Sequence, residues 1–220
     1  MVARINTVAF QGIDVIGVDV QVQMASGLPA FTIVGLPDKA VSEARERVRA
    51  ALGAIGLALP PKRITVNLAP ADVSKEGSHF DLAIAVALLA EMGVLPIEEV
   101  SAFAALGELA LDGTISSVNG VLPAAIHCNA QELGLICPFV QGPEAAWAGN
   151  MDILAPPDIL ALVNHFKGTQ LLLSPKPGVA DEGVSYPDLA DIKGQESAKR
   201  ALEVAAAGGH NMLMCGPPGA

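Results

Sequence analysis

The sequence predicts an α/β (α+β) domain followed by the opening segment of a second domain, and three observations carry that expectation. Residues 4–10 and 14–24 alternate, with Val18, Val20 and Val22 set against Asp19, Gln21 and Gln23, the period of a half-buried strand. Residues 39–55 instead space Ala40, Val41, Ala44, Val48, Ala51, Leu52 and Ile55 as one helical stripe. Residues 168–187 collect Pro175, Pro177, Gly178, Gly183 and Pro187 with acids between them, a linker composition, after which the character of the chain changes.

The elements are expected in the following order. The two alternating segments meet at Gln11-Gly12, as in a hairpin, and residues 31–34 form a third strand ended by Gly35-Leu36-Pro37. Asp38 then caps a helix that runs to about Ile55, with Glu43 and Arg47 as an i, i+4 pair on its polar side and Gly56 as its stop. Residues 64–68 are a β-branched strand entered through Pro60-Pro61-Lys62-Arg63. Ser78 and Asp81 have capping-box spacing ahead of a helix over 79–92, which is apolar nearly all round and belongs in the middle of the domain. Residues 104–111 and 114–118 read as paired strands about the Asp112-Gly113 turn. A helix over 121–133, a strand at 135–138, a helical stretch at 143–148, a short strand at 153–154 and a helix over 157–166 with Pro157 in its first turn complete the domain.

Composition excludes several classes. At 220 residues and 51% hydrophobic, with mean hydropathy +0.46, the chain has ample apolar content for a full core and the start of a second domain. The longest wholly apolar run, residues 82–90, is about half of the roughly 18 residues a membrane span requires, so no membrane partner is expected. Asp14 and Asp19 stand where a secretory leader needs its apolar core, which points to a cytoplasmic protein. Cys128, Cys137 and Cys215 match neither a disulfide framework nor a CxxC metal site and read as reduced thiols. His79, His127, His165 and His210 show no HxxxH or HExxH spacing, so no metal site is expected.

The net charge of −10 is unevenly distributed. Residues 76–166 hold eleven acids and no Lys or Arg, a stretch that should repel phosphate backbones. Seven of the thirteen basic residues, Lys39, Arg45, Arg47, Arg49, Lys62, Arg63 and Lys75, lie between 39 and 75. Arg45, Arg47 and Arg49 are therefore the candidate DNA contacts, with a solvated helix face and a dock for an acidic partner as the alternatives. Aromatics are 4% of the chain, too few for binding by base stacking.

The C-terminal residues carry the clearest chemistry. A helix over 196–207 and Gly208-Gly209-His210 lead to an apolar run, 211–215, expected as a buried strand. Gly216, Pro217, Pro218, Gly219 and Ala220 then match the first five positions of the phosphate-binding pattern GxxxxGK[ST]. Such a loop works by turning successive backbone N–H groups into one concavity at a helix N-terminus. The lysine that would meet the β- and γ-phosphates and the hydroxyl that would hold Mg²⁺ are the positions that follow, so these 220 residues are expected to bind ATP weakly or not at all.

Residues 191–202, DIKGQESAKRAL, with GGHNMLMCGPPGA at 208–220, resemble the opening of an AAA+ ATPase module of the magnesium-chelatase-like group. That resemblance places Ile192 and Gly194 against adenine. FTIVGLPDKAVSEARERVRAAL (31–52), ITVNLAPADVSKEGSHFDLAIAVALLA (64–90) and LGELALDGTISSVNGVLPAA (106–125) are similar to the N-terminal domain of the ComM/YifB family. The resemblance implies a Lon-protease-like domain at 1–167, a linker at 168–187 and the beginning of an AAA+ domain at 188–220. For the whole protein it implies ATP and Mg²⁺ as cofactors, a hexameric ring, and ATP-driven DNA branch migration in natural transformation. Sliding the Lon pattern onto the chain puts His79 at the nucleophile and Leu122 at the lysine, so no catalytic residue is assigned, and Ser78 reads as a helix cap. The loop that holds Lys75, Glu76 and His79 matches in place a functional loop of related Lon-like domains, and either contacts a ligand or merely caps the buried helix. The rival functions are a motor subunit of a true magnesium chelatase and a protein-docking module without DNA contact.

Overall fold

The computed structural model describes residues 2–178 and 187–217. The chain divides into two units, Met1–Gly178 and Val179–Ala220. The first is built on a mixed seven-stranded sheet.

Strands β1 (Ala3–Gln11) and β2 (Asp14–Ala25) form the expected hairpin, with Gln11 opposite Asp14 at the turn and Ala3 opposite Val22 at the open end. Strands β3 (Ala30–Val34) and β4 (Arg63–Ala69) extend the sheet beyond β2, and β5 (Phe103–Ala105), β8 (Gly134–Ile136) and β9 (Ile153–Leu154) extend it beyond β1. The order is β3-β4-β2-β1-β5-β8-β9. The two pairs about β2 are antiparallel and the remaining four are parallel, so each parallel pair is bridged by a crossover.

Among the described residues seven α-helices accompany the strands. They are α1 (Lys39–Ala54), α2 (Phe80–Glu91), α3 (Ile97–Val100), α4 (Val121–Ala130), α5 (Gly142–Ala145) and α6 (Ile159–Phe166) in the first unit, and α7 (Glu196–Gly208) in the second. Strand alternation assigns the core to two layers. Ala3, Ile5 and Ala9 of β1, Ala105 of β5 and Ile136 of β8 join the layer of α1, α2 and α6. Val8, Ala104 and Leu135, one residue out of phase, join the layer of α4 and α5. On the β2 and β4 side the second face is polar: the Asn67 amide donates to Gln21 Oε1 at 3.1 Å, and the Gln21 amide donates to Asp19 at 2.6 Å.

The long amphipathic helix forms as its stripe predicts. Asp38 accepts from the Val41 N–H at 2.7 Å as N-cap, and Val41, Ala44, Val48, Ala51 and Leu52 are buried. Helix α2 is buried on every side through Ala90, which places it at the centre of the larger core. Gly35 lets strand β3 leave the sheet against β4. Its φ is +105°, and a Cβ there would lie 2.1 Å from the Leu68 carbonyl oxygen.

Several expectations are corrected. Residues 104–111 are not one strand. β5 belongs to the main sheet, whereas β6 (Glu108–Leu109) pairs with β7 (Ile115–Ser116) as a separate ribbon, with Gly107 at the break. The Gly107 N–H donates to the His79 carbonyl at 3.0 Å and its carbonyl accepts from the Leu82 N–H at 3.0 Å, so the start of α2 uses the backbone groups that a continuous strand would need. Helix α6 starts after Asp158, whose carboxylate accepts from the Ala161 N–H at 2.7 Å; Pro157 lies before the cap, outside the first turn. Residues 168–178 of the expected linker stay with the first unit. Leu172 packs on its core, and the Trp147 indole donates to the Gly178 carbonyl at 2.9 Å. The remainder through residue 186 lies outside the described residues.

In the second unit, α7 forms as expected and carries Lys199–Glu196 and Arg200–Glu203 ion pairs at 3.2 and 2.8 Å. Residues 211–215 form no strand. A strand exists through pairing, and no described strand of this unit is available to pair with it. Among the described residues no helix is long and apolar enough to cross a membrane.

Candidate functional site

Two loops far apart in sequence converge on one cleft in the first unit. Residues 76–79 approach it from the start of α2, residues 117–119 from the start of α4, and Phe10 and Glu108 complete the lining. The cleft measures about 380 Å³. Gly120 forms its corner with φ +86°; a Cβ there would lie 2.4 Å from the Phe10 ring, so the close seat of this aromatic depends on glycine.

His79 anchors the floor. The residue is 7% exposed, its ring lies 5.4 Å from Phe10 and 4.2 Å from Phe80 between centroids, and its Nε2 is 2.9 Å from the Val8 carbonyl oxygen. A carbonyl can only accept, so Nε2 carries the proton and donates. Burial pushes the imidazole pKa below its ordinary value, partly opposed by the Val8 bond and the charge of Asp38, so the ring is neutral with an Nδ1 lone pair. The Ser78 hydroxyl donates to the Glu108 carboxylate across the cleft. This corrects the capping-box expectation: His79 is the N-cap position of α2, no side chain caps the helix, and Asp81 is turned the other way.

Asp81 is fully buried and holds Arg47 of α1. Arg47 Nε and Nη2 donate to the two Asp81 oxygens at 2.5 and 2.9 Å, and the Leu109 N–H donates to Asp81 Oδ2 at 3.2 Å. Burial raises the Asp81 pKa and the Arg47 bonds pull it back, while the bond to Asp81 raises that of Arg47. The expected Glu43–Arg47 pair exists only at 4.0 Å. Arg47 is thus corrected as a DNA contact, because its guanidinium is committed inward, to Asp81 and to the Ala40 carbonyl at 2.9 Å. Arg45 and Arg49 remain exposed on α1, beside Glu46 at 3.3 and 3.9 Å.

Lys75 is also corrected as a ligand residue. It is fully buried, its ammonium donates to the Pro70 carbonyl, and burial lowers its pKa, with Asp72 opposing. Its backbone ties the loop to the end of β3, accepting from the Asp38 N–H at 2.9 Å and donating to the Leu36 carbonyl at 3.2 Å. Glu76 is exposed at the cleft rim, where it accepts from Ser74 Oγ at 3.2 Å. Of the three predicted loop residues, then, Glu76 and His79 reach the cleft and Lys75 does not. Glu108 is a further wall of the site; it lies 30 residues from Ser78, and no local period links the two.

The second unit holds Ile192, partly exposed, and Gly194, with φ +71° and open space where a Cβ would be. Gly216 and Pro217 are exposed, whereas Pro218, Gly219 and Ala220 lie outside the described residues. Among the described residues no group of three or more His, Cys, Asp or Glu is placed to hold a metal ion.

Comparison with known proteins matches residues 20–141 to the family model described as Subunit ChlI of Mg-chelatase, and residues 188–220 to that of Magnesium chelatase, subunit ChlI. Competence protein ComM of Haemophilus influenzae is 40% identical over 216 residues, covering 96% of this chain and 42% of that protein. Uncharacterized protein YifB of Escherichia coli is 39% identical over 215 residues, 98% of this chain and 42% of its own length. An uncharacterized Mycobacterium tuberculosis protein is 37% identical over 217 residues, 98% of this chain and 43% of its own length. The chain spans less than half the length of these relatives. The first family model alone covers more than half of the chain, and the identity to ComM and YifB runs through both units: the chain belongs to the ComM/YifB magnesium-chelatase-like family.

Proposed function

We propose that residues 1–167 are the non-proteolytic, Lon-like accessory domain of a magnesium-chelatase-like AAA+ ATPase, that residues 188–220 open its motor domain, and that the whole protein drives DNA branch migration in natural transformation and recombination. The observation that carries the reading is the similarity to Competence protein ComM, which runs through both units of one chain. The cleft supports the non-proteolytic part. The serine of a serine–lysine pair needs the lysine as its positioned base, and here the nearby Lys75 is spent on a backbone carbonyl.

ATP and Mg²⁺ belong to the whole protein in this proposal, as do a hexameric ring, DNA as partner and a cytoplasmic location. The residues present suit a nucleotide only in part. Ile192 and Gly194 leave an apolar edge and an open backbone for a base, and Gly216 begins the phosphate loop. Bound ATP would supply the phosphoanhydride whose hydrolysis drives the motor.

The decisive experiment measures ATP hydrolysis by the longer protein with and without branched DNA. Strong stimulation by branched DNA is the expected result. Turnover raised by a porphyrin and not by DNA would instead establish the magnesium-chelatase reading, which the family descriptions favour as the second possibility.

A further inference from the structure

We propose that the cleft between residues 76–79 and 117–119 binds the guanidinium of an arginine side chain presented by a protein partner. The proposal does not rest on the motor reading, because it is argued from the acceptors that the cleft presents.

His79 Nδ1 is the first. The residue is more than nine-tenths buried with Nε2 already donating to Val8, and among the described residues nothing donates to Nδ1. No fully buried side-chain nitrogen or oxygen among these residues lacks a partner, so Nδ1 is not sealed from solvent; it lies beside Gly77 in the lining of the cleft, an unused acceptor. Glu108 is the second: one carboxylate oxygen accepts from Ser78, and among the described residues nothing donates to the other. Glu76 at the rim and the Asn119 side chain add further acceptors, and the Phe10 ring supplies an aromatic wall for a cation.

The neighbouring cations do not compete for these groups. Arg47 gives its donors to Asp81 and Ala40, and Lys75 gives its ammonium to Pro70. Residues 76–166, which supply every lining residue except Phe10, contain no Lys or Arg. An anion would meet the Glu76 and Glu108 carboxylates and only the neutral side-chain donors of Ser117 and Asn119, with no Lys or Arg among the lining residues. A guanidinium offers five N–H donors in a planar fork and matches several acceptors at once, and the cleft of about 380 Å³ is large enough for one side chain.

The test is a titration of the 220-residue chain with Nα-acetyl-arginine amide, followed through the His79 ring nitrogens by NMR, with Nα-acetyl-citrulline amide as the neutral, nearly isosteric control. The expected result is a saturable Nδ1 shift with the arginine probe and a response at least about tenfold weaker with citrulline, the loss of a charge-assisted contact. Glu108→Gln should weaken the arginine probe by a similar factor. Should that variant fold poorly, Glu76→Gln, on an exposed residue, should weaken it roughly twofold to threefold. Equal response to the two probes, or no saturable shift at His79, overturns the proposal.

Discussion

Arg47 and Asp81 provide the sharpest test of how the first unit is held together. Replacing Arg47 with Met keeps the aliphatic stem and removes the guanidinium, so Asp81, fully buried, loses two of the three hydrogen bonds it accepts and keeps only that from Leu109. Breaking one side of a buried pair costs about 3–5 kcal/mol, because an uncompensated charge stays behind. The double variant Arg47→Met/Asp81→Leu removes that charge and leaves mainly the Leu109 N–H without a partner, at about 1–3 kcal/mol. The double variant is therefore expected to be more stable than the single one. The pH dependence has a definite sign. Burial already raises the Asp81 pKa, and loss of Arg47 raises it further, so folding favours the protonated acid. That stabilisation is fully present below the unfolded value of about 3.9 and is lost as pH rises through the folded value. The penalty of Arg47→Met must then grow between about pH 4 and neutrality. Urea unfolding midpoints of the wild type and both variants across that range provide the assay. A single-variant penalty below about 1 kcal/mol, or one independent of pH, refutes the argument that Asp81 relies on Arg47.

Three further outcomes are expected. Gly35→Ala should destabilise by roughly 2 kcal/mol or more, or prevent folding, since its Cβ would overlap the Leu68 carbonyl at a positive φ; a thermal midpoint within a degree or two of wild type would contradict the close approach of β3 and β4. Burial raises the Cys128 thiol to about 11 and, with help from Glu144, the Cys137 thiol to about 12, while Cys215 is exposed, so a thiol reagent at neutral pH should label one cysteine per native chain and all three only after denaturation. Arg45→Glu/Arg49→Glu should change unfolding stability by no more than about 0.5 kcal/mol, because both side chains are exposed; under the proposal that α1 is a DNA-contacting face, the reversal should also abolish any salt-dependent DNA affinity measured for the unsubstituted chain, and DNA binding that survives it removes α1 as that face.

The elements were readable because their signals are local. Alternation at Val18, Val20 and Val22, the stripe from Val41 to Leu52 and the all-apolar run of α2 each follow from the geometry of one element, whatever packs on it. The Asp38 cap is equally local, since its acceptor and the Val41 N–H are three residues apart. By contrast, the capping box at Ser78 and Asp81 had the right spacing and the wrong outcome. Both side chains found partners about 30 residues away, Glu108 for Ser78 and Arg47 for Asp81, and charged, hydrogen-bonded contacts outweigh a single exposed cap.

By itself the sequence determined the mixed α/β class, the hairpin that starts the sheet, the two principal helices, the contrast between basic and acidic segments, and the phosphate-loop pattern at the end of the chain. Tertiary structure alone decided the strand order, the division of residues 104–111 into a sheet strand and a separate ribbon, and the direction in which polar side chains turn. Arg47 and Lys75 illustrate the reason. Each is a cation in a basic segment, and only the arrival of Asp81 beneath α1, or of the Pro70 carbonyl beside a buried loop, makes an inward position more favourable than solvent. The cleft was hidden for the same reason, since residues 76–79, Glu108 and residues 117–119 meet only when α2, the β6–β7 ribbon and α4 pack together.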